Sequence, residues 1–366
     1  MKFVCSKSSL IDAVSTVSRA VRPTCQVEIL NCILLSAEDG KVTLRGFDLE
    51  VGMEVSIEDV DVIKNGITAV SPKMLKAIAE KMGDDELTLE VVETHLVISS
   101  GSTKMKLACR SAEDYPKLPD IEDGKSVVIN STLLKDAFSN VSFAVSKDST
   151  RITLTGVFMK CEGDMLTTVA IDGFRMAINK AVVEGSYDFS AIIPSKAVME
   201  VLKSIGSYEG DVSISLGSAH AYFDINGTKL VTRLISGEYI DYNKIISQNC
   251  KSSVVVNRDT IYDSFDRAFL VASAEAKNVP CSVTSGKDTL NIDCTSADSV
   301  MNDVIDDIKF EGEKIDLDLN SRYMLDALKV ISDDEVRIEF SGDKGPVLIK
   351  PTEGDNYLYL VLPIRR

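Results

Sequence analysis

Two histidines, eight cysteines and several adjacent carboxylates are the residues of this chain best suited to catalysis or metal binding. His95 and His220 sit in alternating, strand-like stretches, and no GxSxG turn supplies a nucleophile for either. Asp172-Gly173 beside Arg175 could form a catalytic loop, which keeps a hydrolase among the rival readings. Gly124-Lys125-Ser126 has the end of a phosphate-binding loop, but the glycine needed five residues earlier is Pro119. The pairs Asp84-Asp85, Asp306-Asp307 and Asp333-Asp334 fall between periodic segments, where solvated turns account for them. The cysteines, at 5, 25, 32, 109, 161, 250, 281 and 294, contain no CxxC pair and no zinc spacing. They read as reduced, buried thiols of a cytosolic protein. None of these motifs is specific for catalysis or metal binding, and the more informative feature is charge.

The elements that carry this charge repeat. SSLIDAVSTVSRAV, STLLKDAFSNVSFAV and RDTIYDSFDRAFLVAS each place apolar residues on one helical face. Ala13, Val14, Val17, Ala20 and Val21 recur 124 residues later as Ala137, Phe138, Val141, Ala144 and Val145. Phe265 lies 127 beyond Phe138. A second helix set opens at Ser71, Pro194 and Ser321, each followed by a basic residue, Lys73, Lys196 and Arg322. From Ala13 to Leu75, Ala137 to Val198 and Ser264 to Met324 the distances are 62, 61 and 60. The 366 residues thus divide into three units of about 122, with domains expected at 1–124, 125–250 and 251–366.

Between the helices the period changes from helical to alternating, with turn signals at AEDGK, Glu93-Thr94, Ser100-Gly101 and Glu162-Gly163-Asp164. Each unit is expected to hold two helices and six to eight antiparallel strands, an α+β class with helices on one face of the sheet. DYPKLPDIEDGKS and YIDYNKIISQNCKSS read as the joints.

Lys plus Arg number 40 and Asp plus Glu 56, a net charge of −16. Nucleic-acid coating is excluded on that balance. The six expected helices, 7–22, 71–82, 131–147, 194–205, 258–273 and 321–331, nevertheless carry fourteen basic and eight acidic residues. They are net +6, so the remainder is −22. A basic surface within an acidic shell suits a polyanion held in one place and repelled elsewhere. No tryptophan is present and aromatics do not interleave with the lysines, so phosphate contact is expected rather than base stacking. A scaffold that never touches DNA is the competing non-catalytic reading. No apolar run approaches the ~20 residues of a membrane span, and no signal peptide is evident, so a cytoplasmic location is expected.

The threefold repeat, together with RPTCQVEIL, SAEDYPKL, TVAIDGFRMA and the terminal YLYLVLPIRR, resembles the bacterial beta sliding clamp family, the processivity subunits of the replicative DNA polymerase. The likeness runs the length of the chain with motifs in order. It implies three clamp domains per chain, a head-to-tail homodimeric ring around duplex DNA, no catalysis and no cofactor. It also implies as partners the polymerase catalytic subunit, a clamp loader and other proteins carrying a clamp-binding motif.

On the family's pattern a peptide pocket would use Leu154, Ile171, Gly173, Phe174, Arg175, Met176, Ile240, Lys244, Ile245, Leu360, Leu362, Pro363, Ile364 and Arg365. Phe174, Ile240 and Lys244 depart from the residues frequent there, namely His or Tyr, Pro and Arg. The DNA-facing set would be Arg22, Lys73, Lys76, Arg151, Lys196, Lys203 and Arg322. The dimer edge would pair Lys104, Met105 and Lys106 with Phe269, Leu270, Asn302 and Asp303, lysine against aspartate.

Overall fold

A computed structural model describes residues 1–366 except 23, 25, 26, 120–123, 247, 248, 274–278, 287 and 366. Part of RPTCQVEIL, including Cys25, part of both joints and the terminal Arg366 lie outside the described residues.

Among the described residues six α-helices form where the apolar periodicity places them: α1 (Lys7–Ser18), α2 (Pro72–Lys81), α3 (Ser131–Ser142), α4 (Ser195–Ile205), α5 (Arg258–Ala272) and α6 (Ser321–Leu328). All are shorter than expected, most of the loss being at their C-terminal ends. Their N-terminal caps repeat. Ser6 accepts from Ser9 N, Asn130 from Thr132 N and Asn257 from Thr260 N, at the strand-to-helix junctions that open α1, α3 and α5. Ser71 caps α2, and Asn320 caps α6, which begins at the expected Ser321.

The chain divides into two compact units, residues 1–132 with 196–234, and residues 133–195 with 235–366. The first holds a five-stranded and an eight-stranded sheet. The larger sheet crosses from one repeat to the next: Thr228–Arg233 pairs with Val51–Ile57, with Lys229 opposite Glu54 and Thr232 opposite Val51. α1 lies against α2 and against the strands Lys41–Phe47 and Val51–Ile57. Its small face allows close approach, and Gly46 meets it: a Cβ at Gly46 would stand 2.1 Å from the carbonyl oxygen of Val17. Because that obstacle is backbone, we expect Gly46→Ala to lower unfolding free energy by about 3 kcal/mol, measured by urea denaturation.

The second unit holds a seven-stranded and a four-stranded sheet. Here Arg175–Pro194 pairs with Tyr357–Val361, again joining consecutive repeats. α5 packs on α6 and on the strands Leu290–Thr295 and Val300–Ile305. Every strand pairing is antiparallel among the described residues, and the buried side chains alternate, as in Leu87/Leu89, Val42/Leu44 and Val254/Val256.

The turns at Asp39-Gly40, Glu93 and Gly101 form as expected, all with positive φ. Glu162-Gly163-Asp164 does not turn. The strand Gly156–Ile171 runs through it and pairs along its length with Arg175–Pro194. At Gly163, φ 64, the register jumps from Gly163↔Tyr187 to Met165↔Val182, so the extra residues of this bulge, 183–186, lie on the opposite strand. Long continuous strands here, and additional edge strands elsewhere, make the count per repeat nine, six and nine among the described residues rather than six to eight. Among the described residues five cysteines are buried as expected, but Cys109 is half-buried and Cys250 is exposed.

Candidate functional site

The long hairpin reverses at Asp172-Gly173-Phe174. Gly173 takes φ 94, and Asp172 Oδ1 accepts from Phe174 N at 2.9 Å and Arg175 N at 3.0 Å. This tight turn is structural, which removes the reason to read Asp172 as catalytic. Ile171 and Met176 are register partners just inside it, and both are buried. They join Leu154, Leu360 and Tyr239 in one apolar cluster, against which Ile245 packs. Tyr239 stacks on Phe158 at 4.9 Å. Leu362 N donates to Phe174 O at 2.9 Å, tying the C-terminal tail to the turn. Phe174, at the turn, is 62% exposed, Ile240, which follows Tyr239, 45%, and Leu362, hydrogen-bonded to Phe174, 39%. Exposed large apolar side chains of this kind can take aliphatic or aromatic anchors of a short peptide.

Not every expected pocket residue joins that surface. Lys244 points to solvent and pairs with Asp241 at 3.0 Å. Pro363, Ile364 and Arg365 line a second cleft of about 430 Å³ with Asp316, Asp318, Asp343 and Lys344. Ile364 N there donates to Asp318 O at 2.8 Å.

Arg175 is not a rim group. Nε donates to Asp172 Oδ2 at 2.9 Å, Nη1 to Asp326 Oδ2 at 2.7 Å and Nη2 to Phe143 O at 2.7 Å. Its guanidinium lies over the rings of Tyr323 at 4.4 Å and Phe143 at 5.4 Å. Beside it opens a cleft of about 700 Å³ lined in part by Phe143, Phe174, Arg322, Tyr323 and Asp326. Burial raises the Tyr323 phenol above its ordinary value, and the nearby Asp172 adds to this. Phe143, Tyr323 and Asp326 were not anticipated. Their only signal was the apolar and charged spacing of helices otherwise accounted for by packing.

Most of the expected DNA-facing cations are engaged within the chain. Arg22 reaches Asp48 at 3.2 Å and Glu50 at 2.6 Å, and Lys196 donates to Asp48. Asp48 is buried, and its Oδ1 also accepts from Val51 N at 2.8 Å and Glu50 N at 3.0 Å. Burial alone would raise its pKa. The hydrogen bonds from Lys196, Val51 and Glu50 outweigh that and hold it below the ordinary value. The hydrogen bond to Glu50, with the charges of Glu50 and Asp48, raises Arg22. Lys203 pairs with Glu200 at 2.8 Å, Lys76 with Glu80 at 4.0 Å and Arg322 with Asp326 at 2.9 Å. Lys73 and Arg151 are exposed and make no ion pair among the described residues.

The two expected dimer edges are both sheet edges. Lys104, Met105 and Lys106 lie on Thr103–Ala108, which ends the five-stranded sheet. Asn302 and Asp303 lie on Val300–Ile305, which ends the four-stranded sheet. Leu270, Val300 and Val304 are strongly exposed at this second edge. Phe269 is half-buried, with Arg322 over its ring at 5.4 Å. Asp303 is already held by Arg267, whose Nε donates at 3.1 Å, so a lysine across the seam would compete with an internal arginine.

Comparison with known proteins places the chain within one family from end to end. Models of the DNA polymerase III beta subunit match as the N-terminal domain at residues 1–119, the central domain at 128–241 and the C-terminal domain at 243–365. The beta sliding clamp of Staphylococcus epidermidis is 28% identical over 375 residues, covering 100% of this chain and 99% of that protein. That of Staphylococcus aureus is 29% identical with the same coverage. The crystal structure of the DNA polymerase sliding clamp from Bacillus subtilis is similar at a TM-score of 0.95 and 30% identity, covering 100% of this chain and 99% of that one. A crystal structure from Eubacterium rectale, described as a putative DNA polymerase III beta subunit, is similar at 0.95 and 30%, with 100% of both chains covered.

Proposed function

Because the chain belongs to the DNA polymerase III beta subunit family, we propose that it works as a sliding clamp, closing as a head-to-tail pair around duplex DNA and tethering the replicative polymerase. The observation that carries this is the succession of three matched clamp domains along one chain, with full-length likeness to sliding clamps. Residues 1–124, 125–250 and 251–366 are the proposed domains. A head-to-tail pair has two equivalent seams, and a twofold rotation closes them without leaving an open end. The strand edges at Lys104–Lys106 and at Asn302-Asp303 would meet there, with Leu270, Val300 and Val304 supplying apolar area.

The clamp does no chemistry. It retains the polymerase by topology, and phosphate contacts without base readout permit movement along any sequence. The apolar surface around Phe174, Ile240 and Leu362 would receive the linear motifs of the polymerase catalytic subunit, the clamp loader and other DNA-processing partners. No helix among the described residues is long and apolar enough to cross a membrane. A cytoplasmic location accords with work on DNA.

Light scattering tests the assembly: a mass near twice 39.9 kDa is expected, and a clean monomer at micromolar concentration would overturn the ring. DNA retention is best tested at Lys73 and Arg151. Reversing Lys196 would set a second carboxylate against buried Asp48 and confound the result with misfolding. Lys73→Glu with Arg151→Glu should shorten residence on nicked circular DNA several-fold at ~0.1 M salt. Unchanged residence would count against a DNA-facing role for these positions.

A further inference from the structure

The cations assigned to DNA are paired from beneath. Asp48 exposes 1% of its side chain and Glu200 8%, whereas their partners Arg22, Lys196 and Lys203 expose 49%, 39% and 52%. Glu200 also attracts Arg19, whose Nε lies 3.4 Å away and whose Nη2 donates to Ser204 Oγ at 3.0 Å. Ordinary surface ion pairs expose both partners and constrain little. Here the acid is fixed in the protein and the base protrudes above it. Arg22, Lys196, Asp48 and Glu50 together sum to zero charge, although two of the four were counted as DNA-facing cations.

Resting on the sliding-clamp reading, we propose that these carboxylates are positioning residues that set the strength of the DNA grip. They hold the cations in place and offset their charge, so that each phosphate contact is made in competition with an internal anion. A phosphate approaching Arg22 or Lys196 meets a cation already half neutralised. The contact therefore gains less than a solvated lysine or arginine would provide. A phosphate that moves away leaves no bare cation, because the internal carboxylate takes back the full interaction. The landscape along the duplex is correspondingly shallow, which is what translocation without dissociation requires. Four of the seven proposed DNA-facing cations, Arg22, Lys196, Lys203 and Arg322, have such a partner; Lys76 has only the exposed Glu80, and Lys73 and Arg151 make no ion pair among the described residues.

The test is equilibrium binding of the purified full-length protein to a labelled linear duplex, by anisotropy across 50–200 mM salt. Asp48→Asn is the primary variant, because Asp48 is the buried carboxylate beneath Arg22 and Lys196 and asparagine retains an oxygen for Val51 N and Glu50 N. Glu50→Gln, at the exposed partner of Arg22, is the second, because its loss leaves no buried group unpaired. Each should tighten binding by about threefold to tenfold at ~0.1 M salt and steepen the dependence of log affinity on log salt by up to about one per protomer. Glu50→Asp, which keeps the charge, should restore the shallow slope. A merely structural role would instead loosen binding or leave the slope alone. Unchanged affinity and slope in Glu50→Gln and Asp48→Asn, with Lys73→Glu and Arg151→Glu still weakening binding, would overturn the proposal while leaving the clamp reading intact. If the reversals too are without effect, the DNA-facing assignment falls and the proposal with it.

Discussion

A chain ending at Val361 should lose its binding to polymerase-derived peptides while remaining a folded dimer. The truncation removes Leu362, an exposed apolar residue two positions beyond Leu360 of the buried cluster that includes Leu154, Ile171 and Met176. It also removes the hydrogen bond from Leu362 N to Phe174 O, which fixes the tail beside the turn. Losing an anchoring wall of a small groove costs about 2 kcal/mol or more, and loss of positioning at Phe174 adds to it. Affinity for a fluorescent peptide with aliphatic and aromatic anchors should therefore fall by about a hundredfold. The fold should survive, because Tyr357–Val361 keeps its pairing with Arg175–Asn179 and with Val347–Ile349. The separate bridge from Ile364 to Asp318 is a single rung, so its loss should lower the melting temperature by only a few degrees. Peptide affinity within a factor of about three of the full-length protein would place the peptide elsewhere. Loss of the dimer would show that the tail supports assembly rather than recognition.

What the sequence disclosed and what it withheld follow from the range of the interactions. The helices were legible because Ala13, Val14 and Val17 recur as Ala137, Phe138 and Val141, and helical periodicity is a local property. The hairpin at Asp39-Gly40 was legible because two positive φ angles in succession demand such residues. Glu162-Gly163-Asp164 has the same composition as a turn. It is a bulge, because the opposite strand supplies its own extra residues around Gly185. Only the pairing decides between the two. The apolar groove came from the resemblance. Its floor residues are ordinary strand core in composition, and nothing local separates Leu360, which is buried, from Leu362, which is not. The ion pairs were least legible. Counting charge on helices yields +6, but Asp48, which offsets two of those charges, lies outside the helices and 148 residues from Lys196. Arg19, Arg22, Lys147 and Lys329 also fall beyond the helix ends, so the count on the expected helices overstated both the helical charge and how strongly these cations can act.

Arg175 provides the larger test of stability. Its side chain is 12% exposed, and it satisfies Asp172, Asp326 and the carbonyl of Phe143 at once, between the rings of Phe143 and Tyr323. Arg175→Met keeps the apolar stem but strips all three acceptors of their shared donor, and two of these are carboxylates with little access to water. Removing one partner of such a network costs about 3–5 kcal/mol. Arg175→Lys should recover only a minor part. An ammonium cannot place donors on Asp172, Asp326 and Phe143 together, nor stack as a plane on Tyr323. Asp326 keeps its second oxygen on Arg322 at 2.9 Å, so Arg175→Met combined with Asp326→Asn should destabilise less than the sum of the single variants. Urea denaturation of the four proteins measures this directly. A lysine variant within about 1 kcal/mol of the parent would mean that a point charge suffices and that the planar fork contributes little. The expected result is the opposite, because the planar fork ties the Asp172–Phe174 turn to Asp326 of α6 and to the carbonyl of Phe143 at once.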